Sequence, residues 1–204
     1  MKKGMVLGLG CLGLILVAAL MVGLSVRNTY NDIVALEQDV NSKWAQVQNV
    51  YQRRADLIPN LVRTVQGYAA HESDVLQEVT ESRSRAGSIQ VTPEILNNPA
   101  EFQKFQQAQA GLSNALSRLL VVVEKYPDLK ANQNFLELQS QLEGTENRIA
   151  VERKRFNEAA QKYNTRIKQF PANIVAGYFG FKEKQYFQGA EGSEKAPVVD
   201  FNKK

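Results

Sequence analysis

The chain has 204 residues, of which 25 are Lys or Arg and 21 are Asp or Glu, so its formal net charge is +4. Two of the basic residues, Lys2 and Lys3, precede an apolar N-terminal segment, and the remaining charges are nearly balanced and interspersed. Binding to nucleic-acid phosphates needs a clustered positive face. The composition therefore excludes nucleic acid as a partner, and the single cysteine, Cys11, excludes an intramolecular disulfide.

Residues 4–26 form an uninterrupted run of apolar and small side chains without a charge. As a helix, this run would be roughly 35 Å long, enough to cross the ~30 Å hydrocarbon core of a bilayer. It is longer than the roughly 7–15 apolar residues of a cleaved signal peptide. We therefore predict a retained transmembrane helix over residues 4–26, preceded by a short cytoplasmic N-terminus at residues 1–3.

The residues that flank and line this span predict its orientation and its contacts. Lys2 and Lys3 lie on one side and Arg27 on the other, and Lys and Arg favour the cytoplasmic side. We expect the bulk of the chain on the extracytoplasmic side. Gly4 and Gly8 form a GxxxG pair, which lets two membrane helices approach closely. This pair predicts a membrane-helix contact, and hence a homo-oligomer.

The next segment carries a helical stripe. Its apolar side chains recur in steps of three and four residues: Ile33, Leu36, Val40, Trp44, Val47, Tyr51, Ala55, Ile58, Val62, Val65 and Ala69. The stripe predicts one long helix from the membrane to about Arg85. Because proline removes a backbone hydrogen bond, we expect a kink at Pro59. Gly87 and residues 88–99 then predict a turn.

Two further stripes predict a second helix that ends before Pro127 and a third that ends before Pro171. Their members are Phe102, Phe105, Leu112, Leu116, Leu119, Val123 and Tyr126, and then Phe135, Leu138, Leu142, Ile149, Phe156, Ala159, Tyr163, Ile167 and Phe170. The predicted fold is all-α: a transmembrane helix and then an elongated, antiparallel, coiled-coil-like bundle of three to four long helices over residues 27–170. The first predicted helix is longer than the second, so part of it must project beyond the second helix, bend back or pair with another subunit. Residues 171–204 would form an aromatic C-terminal segment and a polar tail.

Residues suited to catalysis are few. The chain has one histidine, and none of the common nucleotide-binding, metal-binding or nucleophile motifs occurs. We therefore predict no enzymatic activity, no cofactor and no metal site. His71 is interpreted as a surface or helix-end residue. Glu152 falls where the third stripe expects an apolar residue, and pairing with a nearby arginine (Arg148, Arg153 or Arg155) is favoured over a role as a general acid.

Three segments are candidates for interactions. Pro59 leaves a backbone carbonyl one turn earlier in need of another donor. The residues Arg53, Arg54, Asp56, Pro59 and Asn60 are interpreted as a polar group that stabilises the kink, with a ligand site as the alternative. The pair His71 and Glu72 is a second candidate. The third is the aromatic segment containing Asn173, Tyr178, Phe179 and Phe181, which is too short to cross a bilayer and too apolar to remain in water. It could pack on the bundle, lie at the membrane surface or dock on a partner.

These segments resemble the LemA family. The likeness rests on the N-terminal span, residues 30–34, Trp44, residues 52–62 with the sequence QRRADLIPNLV, residues 67–72 with GYAAHE, and the stretch from residues 170–173 to Phe181. The resemblance implies a bacterial cytoplasmic (inner) membrane protein with a long antiparallel helical bundle, no established enzymatic activity and no known cofactor. It also extends to a protein of magnetosome membranes.

The leading functional hypothesis is a membrane-anchored scaffold or adaptor of the cell envelope. Its expected partners are other envelope proteins, membrane lipids and further copies of the chain. The alternatives are a lipid-binding or membrane-shaping protein, and an envelope enzyme or metal-dependent accessory factor that uses Glu152 or the pair His71 and Glu72.

Overall fold

A computed structural model describes residues 2–89 and 91–189, with only the helical backbone described for residues 2–12. Every regular element in this part of the chain is helical, which confirms the predicted all-α class. The elements are α1 (Lys2–Gln66), α2 (Ser73–Ser88), a 3₁₀ helix (Pro93–Asn97), α3 (Pro99–Val123), α4 (Pro127–Lys130), α5 (Gln133–Lys168) and α6 (Ala172–Phe179).

The longest helix, α1, contains both the apolar N-terminal run and the first stripe, and it continues through Pro59. Its described N-terminal part is long and apolar enough to cross a membrane, with a mean hydropathy of 1.5. The end of the bundle near Arg27 is called the membrane end below, and the end near Gln66 the distal end. Gly4 and Gly8 lie in the part of α1 whose side-chain surroundings are outside the described residues.

The prediction that this helix reaches Arg85 is wrong. Helix α1 ends at Gln66, residues 67–72 form a turn, and α2 runs back beside α1. Of the three predicted solutions for the overlong helix, bending back is therefore the one observed. The first apolar stripe keeps its helical spacing as far as Ala69, beyond the end of α1, because side chains on both sides of the turn enter the same core. Periodicity alone therefore could not show where the chain turns back.

Helices α1 and α5 pack antiparallel along the bundle. Polar contacts between them show the register: Asp32 with Arg166, Tyr51 with Arg153, and Arg54 with Glu146. Just beyond the helix ends, Tyr68 and Asn132 continue the same register. As the residue number rises along α1, the number of the contacting residue on α5 falls, so the two helices run in opposite directions. Helix α2 packs on α1 and α3, and the short α4 turn leads from α3 into α5. Long antiparallel neighbours are as predicted.

Two apolar clusters make up the core. The cluster at the membrane end is aromatic: Trp44 lies 5.4 to 6.0 Å, between ring centroids, from Phe102, Phe105, Phe156 and Phe187. The distal cluster is mainly aliphatic and includes Ile58, Leu61, Val79, Leu112, Leu119 and Leu142. The polar residues Arg54, Gln109 and Thr145 are buried at the junction of the two clusters.

The segment after α6, residues 181–189, crosses back over the bundle and is called the strap. Asn164 of α5 both donates to and accepts from the backbone of Lys184, and Asn157 does the same with Phe187, with all four distances 2.9 Å. The two asparagines are seven helical residues apart, about 10 Å, which matches three residues of extended chain. The strap therefore lies antiparallel to α5 and carries Phe187 into the aromatic cluster.

Candidate functional site

Arg54 is the central residue of a buried polar layer. Its side chain is 1% exposed, and its guanidinium donates to Ser113 Oγ (2.8 Å), Glu146 Oε1 (2.7 Å) and Gln109 Oε1 (2.5 Å). One arginine of α1 thus binds α3 and α5 together. Thr145 lies in the same layer and donates to the Gln141 carbonyl of its own helix. Burying a charge is costly unless it is paired and hydrogen-bonded. Both terminal nitrogens of Arg54 are paired here, whereas its buried Nε has no partner among the described residues.

The predicted grouping of Arg53, Arg54 and Asp56 around Pro59 is wrong. Arg53 and Asp56 are exposed, and Asp56 accepts a hydrogen bond from Gln52 on its own helix. Only Arg54 faces the core, because it continues the stripe three residues after Tyr51. The group that sequence reasoning placed at a kink is instead divided between the solvent-exposed face of α1 and a polar layer in the core.

Proline at position 59 leaves the carbonyl of Ala55 without its helical donor. This carbonyl accepts a hydrogen bond from Arg83 Nε of α2 at 2.8 Å. The prediction that the freed carbonyl needs a donor is therefore confirmed, but the donor comes from another helix. Asn60 does not help here, since its side chain accepts from Arg63. The sequence analysis did not identify Arg83 as this donor. Its position beside Ala55 follows only from the reversal between α1 and α2.

We expect Arg83→Met to lower the free energy of unfolding by about 1–2 kcal/mol, because it leaves a partly buried carbonyl unpaired. In the background of Pro59→Ala, the new backbone N–H at position 59 can bond to Ala55 itself. The same Arg83 substitution should then cost about 1 kcal/mol less. Thermal and denaturant unfolding of the natural chain, the two single variants and the double variant would measure this coupling, and equal costs in both backgrounds would contradict the assigned role of Arg83.

His71 and Glu72 lie in the distal turn between α1 and α2. His71 is exposed, as predicted, and Glu72 accepts a hydrogen bond from the Tyr126 hydroxyl at 3.0 Å. This bond raises the pKa of Tyr126. The neighbouring Tyr68 hydroxyl accepts from Asn132 at 2.9 Å. These contacts join the turns at the distal end. Among the described residues, no group of three or more His, Cys, Asp and Glu could hold a metal ion.

Glu152 has the paired role predicted for it. Its side chain is 15% exposed and forms an ion pair with Arg155 Nη1 at 2.8 Å. Of the other two arginines considered, Arg153 donates to the Tyr51 hydroxyl at 2.6 Å. Burial nevertheless raises the pKa of Tyr51, since its effect exceeds the opposing influence of the arginine.

The aromatic segment packs on the bundle at its membrane end. The ring of Phe179 lies 4.7 Å, and that of Phe181 5.6 Å, from the ring of Tyr30 on α1. Ala172, Val175 and Ala176 are buried against the core, and Gly180 ends α6 with a φ of 76°, a value that favours glycine. Asn173 and Tyr178 are exposed. Of the three predicted alternatives, packing on the bundle is therefore observed. This packing covers only one face of α6.

A buried lysine on the strap was not found from the sequence. Lys184 Nζ binds Glu37 at 2.7 Å and Asn97 at 2.9 Å, so it connects the strap with α1 and the 3₁₀ helix. The same ammonium lies 5.3 Å from the centroid of the Tyr163 ring. The Tyr163 hydroxyl is buried without a hydrogen-bond partner among the described residues.

We expect Tyr163→Phe to be neutral or to stabilise the protein by up to about 1 kcal/mol at pH 7, because an unpaired buried hydroxyl is removed. Burial raises the pKa of Tyr163, so the folded chain retains a proton that the unfolded chain loses above about pH 10. Stability therefore falls as the pH rises above that value. The fall should be shallower in Tyr163→Phe. Melting temperatures from pH 7 to 11 would test this, and a large loss of stability at pH 7 would contradict it.

Two hollows flank the polar layer. One, of about 290 Å³, lies beside Gln48, Phe105 and Gln109. The other, of about 400 Å³, lies between α3 and α5 and includes Leu120 and Glu143 in its lining. Both are open to solvent and neither contains a cluster of chemically reactive side chains.

The architecture combines an N-terminal helix that can cross a bilayer with an antiparallel bundle built on the same helix, and is compatible with a single-pass membrane protein. The chain belongs to the LemA family, whose sequence model matches residues 43–201. The match includes the polar layer, the Pro59 region and the strap.

Curated relatives agree with this assignment. Magnetosome protein MamQ 2 of Paramagnetospirillum magneticum is 30% identical over 213 residues, covering 97% of this chain and 77% of that protein. Magnetosome protein MamQ of Magnetospirillum gryphiswaldense is 28% identical, covering 83% of this chain and 68% of that protein. Protein LemA of Metamycoplasma hominis is 24% identical, covering 79% of this chain and 69% of that protein.

Proposed function

We propose that the protein is a non-enzymatic, membrane-anchored scaffold of the bacterial cell envelope. In this role it holds a rigid helical bundle at a fixed position on the cytoplasmic membrane, with the bundle on the extracytoplasmic side. The surfaces of the bundle bind other envelope proteins and further copies of the chain. Relatives that are named as magnetosome proteins support a role at a membrane.

The observation that carries this proposal is the continuity of α1. A single helix, Lys2–Gln66, provides both the apolar segment and the longest helix of the bundle. The part beyond Arg27 would rise roughly 60 Å from the membrane. Because no linker separates anchor from bundle, rotation of one moves the other. Such a rigid connection suits a protein that positions partners, whereas a tethered enzyme has no need of it.

The bundle also offers exposed apolar side chains suited to contacts. Val121, Leu136 and Val151 are 68%, 46% and 47% exposed on α3 and α5. Single apolar residues on a surface are common, so these positions serve as reporters rather than as a defined interface. They lie well away from the membrane end.

The direct test is the composition of the complex that the full chain forms. We expect the protein, extracted with native lipids into nanodiscs, to contain more than one copy or a stoichiometric partner. A photo-crosslinker at Val121 or Leu136 should give discrete crosslinked products in cells. A monomer without a co-purifying protein or crosslinks would contradict the scaffold proposal.

Matched variants separate the scaffold from the enzymatic alternative. His71→Ala and Glu152→Ala should leave the composition of the complex unchanged, since neither residue is needed for a scaffold. An enzyme or metal-dependent factor that uses these residues would lose its activity in the same variants. A defect in cells that appears with an intact complex would therefore favour the enzymatic alternative.

A further inference from the structure

Helix α6 has an exposed apolar face opposite its buried one. Ile174 and Tyr178 lie four residues apart within α6 and are 63% and 84% exposed, and Phe170, two residues before the helix, is 80% exposed. This set is called the outer face of α6. Residues four apart lie on one side of a helix. Three large exposed apolar side chains this close together in the chain are costly to leave in water.

The location of α6 indicates what covers this face. Tyr30, which contacts Phe179 and Phe181, lies four residues after Val26, the end of the uncharged run. Four helical residues correspond to about 6 Å. The inner face of α6 belongs to the same apolar cluster as Ile33, one turn further along α1. Helix α6 thus closes the membrane end of the bundle, at the height where the bilayer begins.

We propose that the outer face of α6 inserts into the interfacial region of the lipid bilayer and forms a second attachment to the membrane beside α1. The proposal deepens the scaffold function above and rests on its membrane anchor. Tyrosine side chains such as Tyr178 are enriched at the headgroup region. With its inner face already covered by the bundle, α6 can lie in the plane of the interface with its outer face toward the lipid. Arg27 and Lys182 are exposed around this end, where they attract anionic lipid headgroups, whereas the nearby Lys168 is paired with Glu183 at 2.7 Å.

A second protein is a poorer occupant of the same face. Three large side chains of this kind bury roughly 150–250 Å² each. Their sum is below the ~800 Å² that each partner contributes to a standard protein interface. A lipid interface has no such minimum, because the anchoring helix already holds the face at the bilayer. Two attachment points would also fix the rotation of the bundle about α1, which one span alone leaves free.

The test uses the full chain in nanodiscs that contain anionic lipid. Cys11→Ser removes the natural thiol, and an environment-sensitive fluorophore is then attached at Ile174→Cys. The matched control is the same label at Val151→Cys, an exposed apolar site on α5 that lies opposite the middle of the bundle, roughly 35 Å beyond the span. Quenching by lipids with a nitroxide near the top of the acyl chain is compared with quenching by aqueous iodide.

We expect lipid quenching to be at least about threefold stronger at position 174 than at 151, with iodide showing the reverse order, as interfacial burial requires. Equal lipid quenching at the two positions would overturn the proposal. Protection of position 174 from both quenchers would also overturn it and would indicate a protein partner. In either case the composition of the nanodisc complex still reports on the scaffold function, so the two failures are distinguishable.

A paired substitution gives an independent readout. Ile174→Asp with Tyr178→Asp should leave the helical content and melting temperature of the bundle unchanged, because both side chains are exposed. A label at Phe170→Cys in this background should lose most of its lipid quenching. If its quenching does not change while the fold is intact, the outer face does not hold α6 at the interface and the proposal fails.

Discussion

Arg54→Leu is expected to lower the free energy of unfolding by about 3 kcal/mol, since it removes the donor that pairs with three buried or partly buried acceptors. The side-chain oxygen of Gln109 is left without its partner in a residue that is 6% exposed. Glu146 contributes less to the cost, because its side chain is 43% exposed and regains water. Denaturant unfolding of the full chain would measure the change.

Two controls make this result specific to the polar layer. Arg53→Leu changes the same residue type at the neighbouring exposed position and should alter stability by no more than about 0.5 kcal/mol. The double variant Arg54→Leu with Gln109→Leu removes donor and acceptor together, so it should cost about 1–2 kcal/mol less than the sum of the single variants. Additive costs would show that Arg54 and Gln109 are not coupled.

The polar layer has a further expected effect on register. Arg54, Gln109 and Thr145 lie at one level of three different helices, between the aromatic and the aliphatic clusters. A buried polar group can fix the register of packed helices at some cost in stability. We expect the double leucine variant to keep its helical content but to show broader side-chain signals in NMR spectra. Spectra as sharp as those of the natural chain would argue against this role.

Phe187→Ala is expected to lower the free energy of unfolding by about 3–5 kcal/mol, the usual cost of emptying a buried aromatic site. Phe187 is 6% exposed, and its ring lies 5.1 Å from Phe102 and 5.5 Å from Phe156. Its removal opens a cavity in the cluster and also releases the strap that covers it. Val151→Ala, at an exposed position, should change stability by less than about 0.5 kcal/mol.

Asn164→Asp tests the strap separately from the cavity. A carboxylate has the shape of the amide but cannot donate to the Lys184 carbonyl, so one of the paired bonds is replaced by repulsion. We expect limited proteolysis to cut within the strap much faster in this variant and in Phe187→Ala than in the natural chain. A strap that stays protected in both variants would show that other contacts hold it.

The sequence determined the elements and the general architecture for a simple physical reason. Apolar periodicity is a property of each helix by itself, and so the uncharged run, the three stripes and the stops at Pro127 and Pro171 could be recognised without knowing their neighbours. The pairing of Glu152 was also predictable, since its partner Arg155 lies on the same helix. Likewise, the chemistry of proline alone predicted a carbonyl near position 55 that needs a donor.

Only the tertiary structure decided the contacts between residues that lie far apart in the chain. The reversal after Gln66 brings Arg83 to the Ala55 carbonyl, and the α1–α5 register brings Glu146 to Arg54, neither of which periodicity encodes. Helical periodicity also cannot locate a strap, because an extended segment bound by Asn157 and Asn164 has no repeat of its own. The sequence therefore determined an apolar helix long enough to span a membrane and a helical bundle, whereas long-range packing decided that a buried arginine links three helices and that α6 lies at the membrane end.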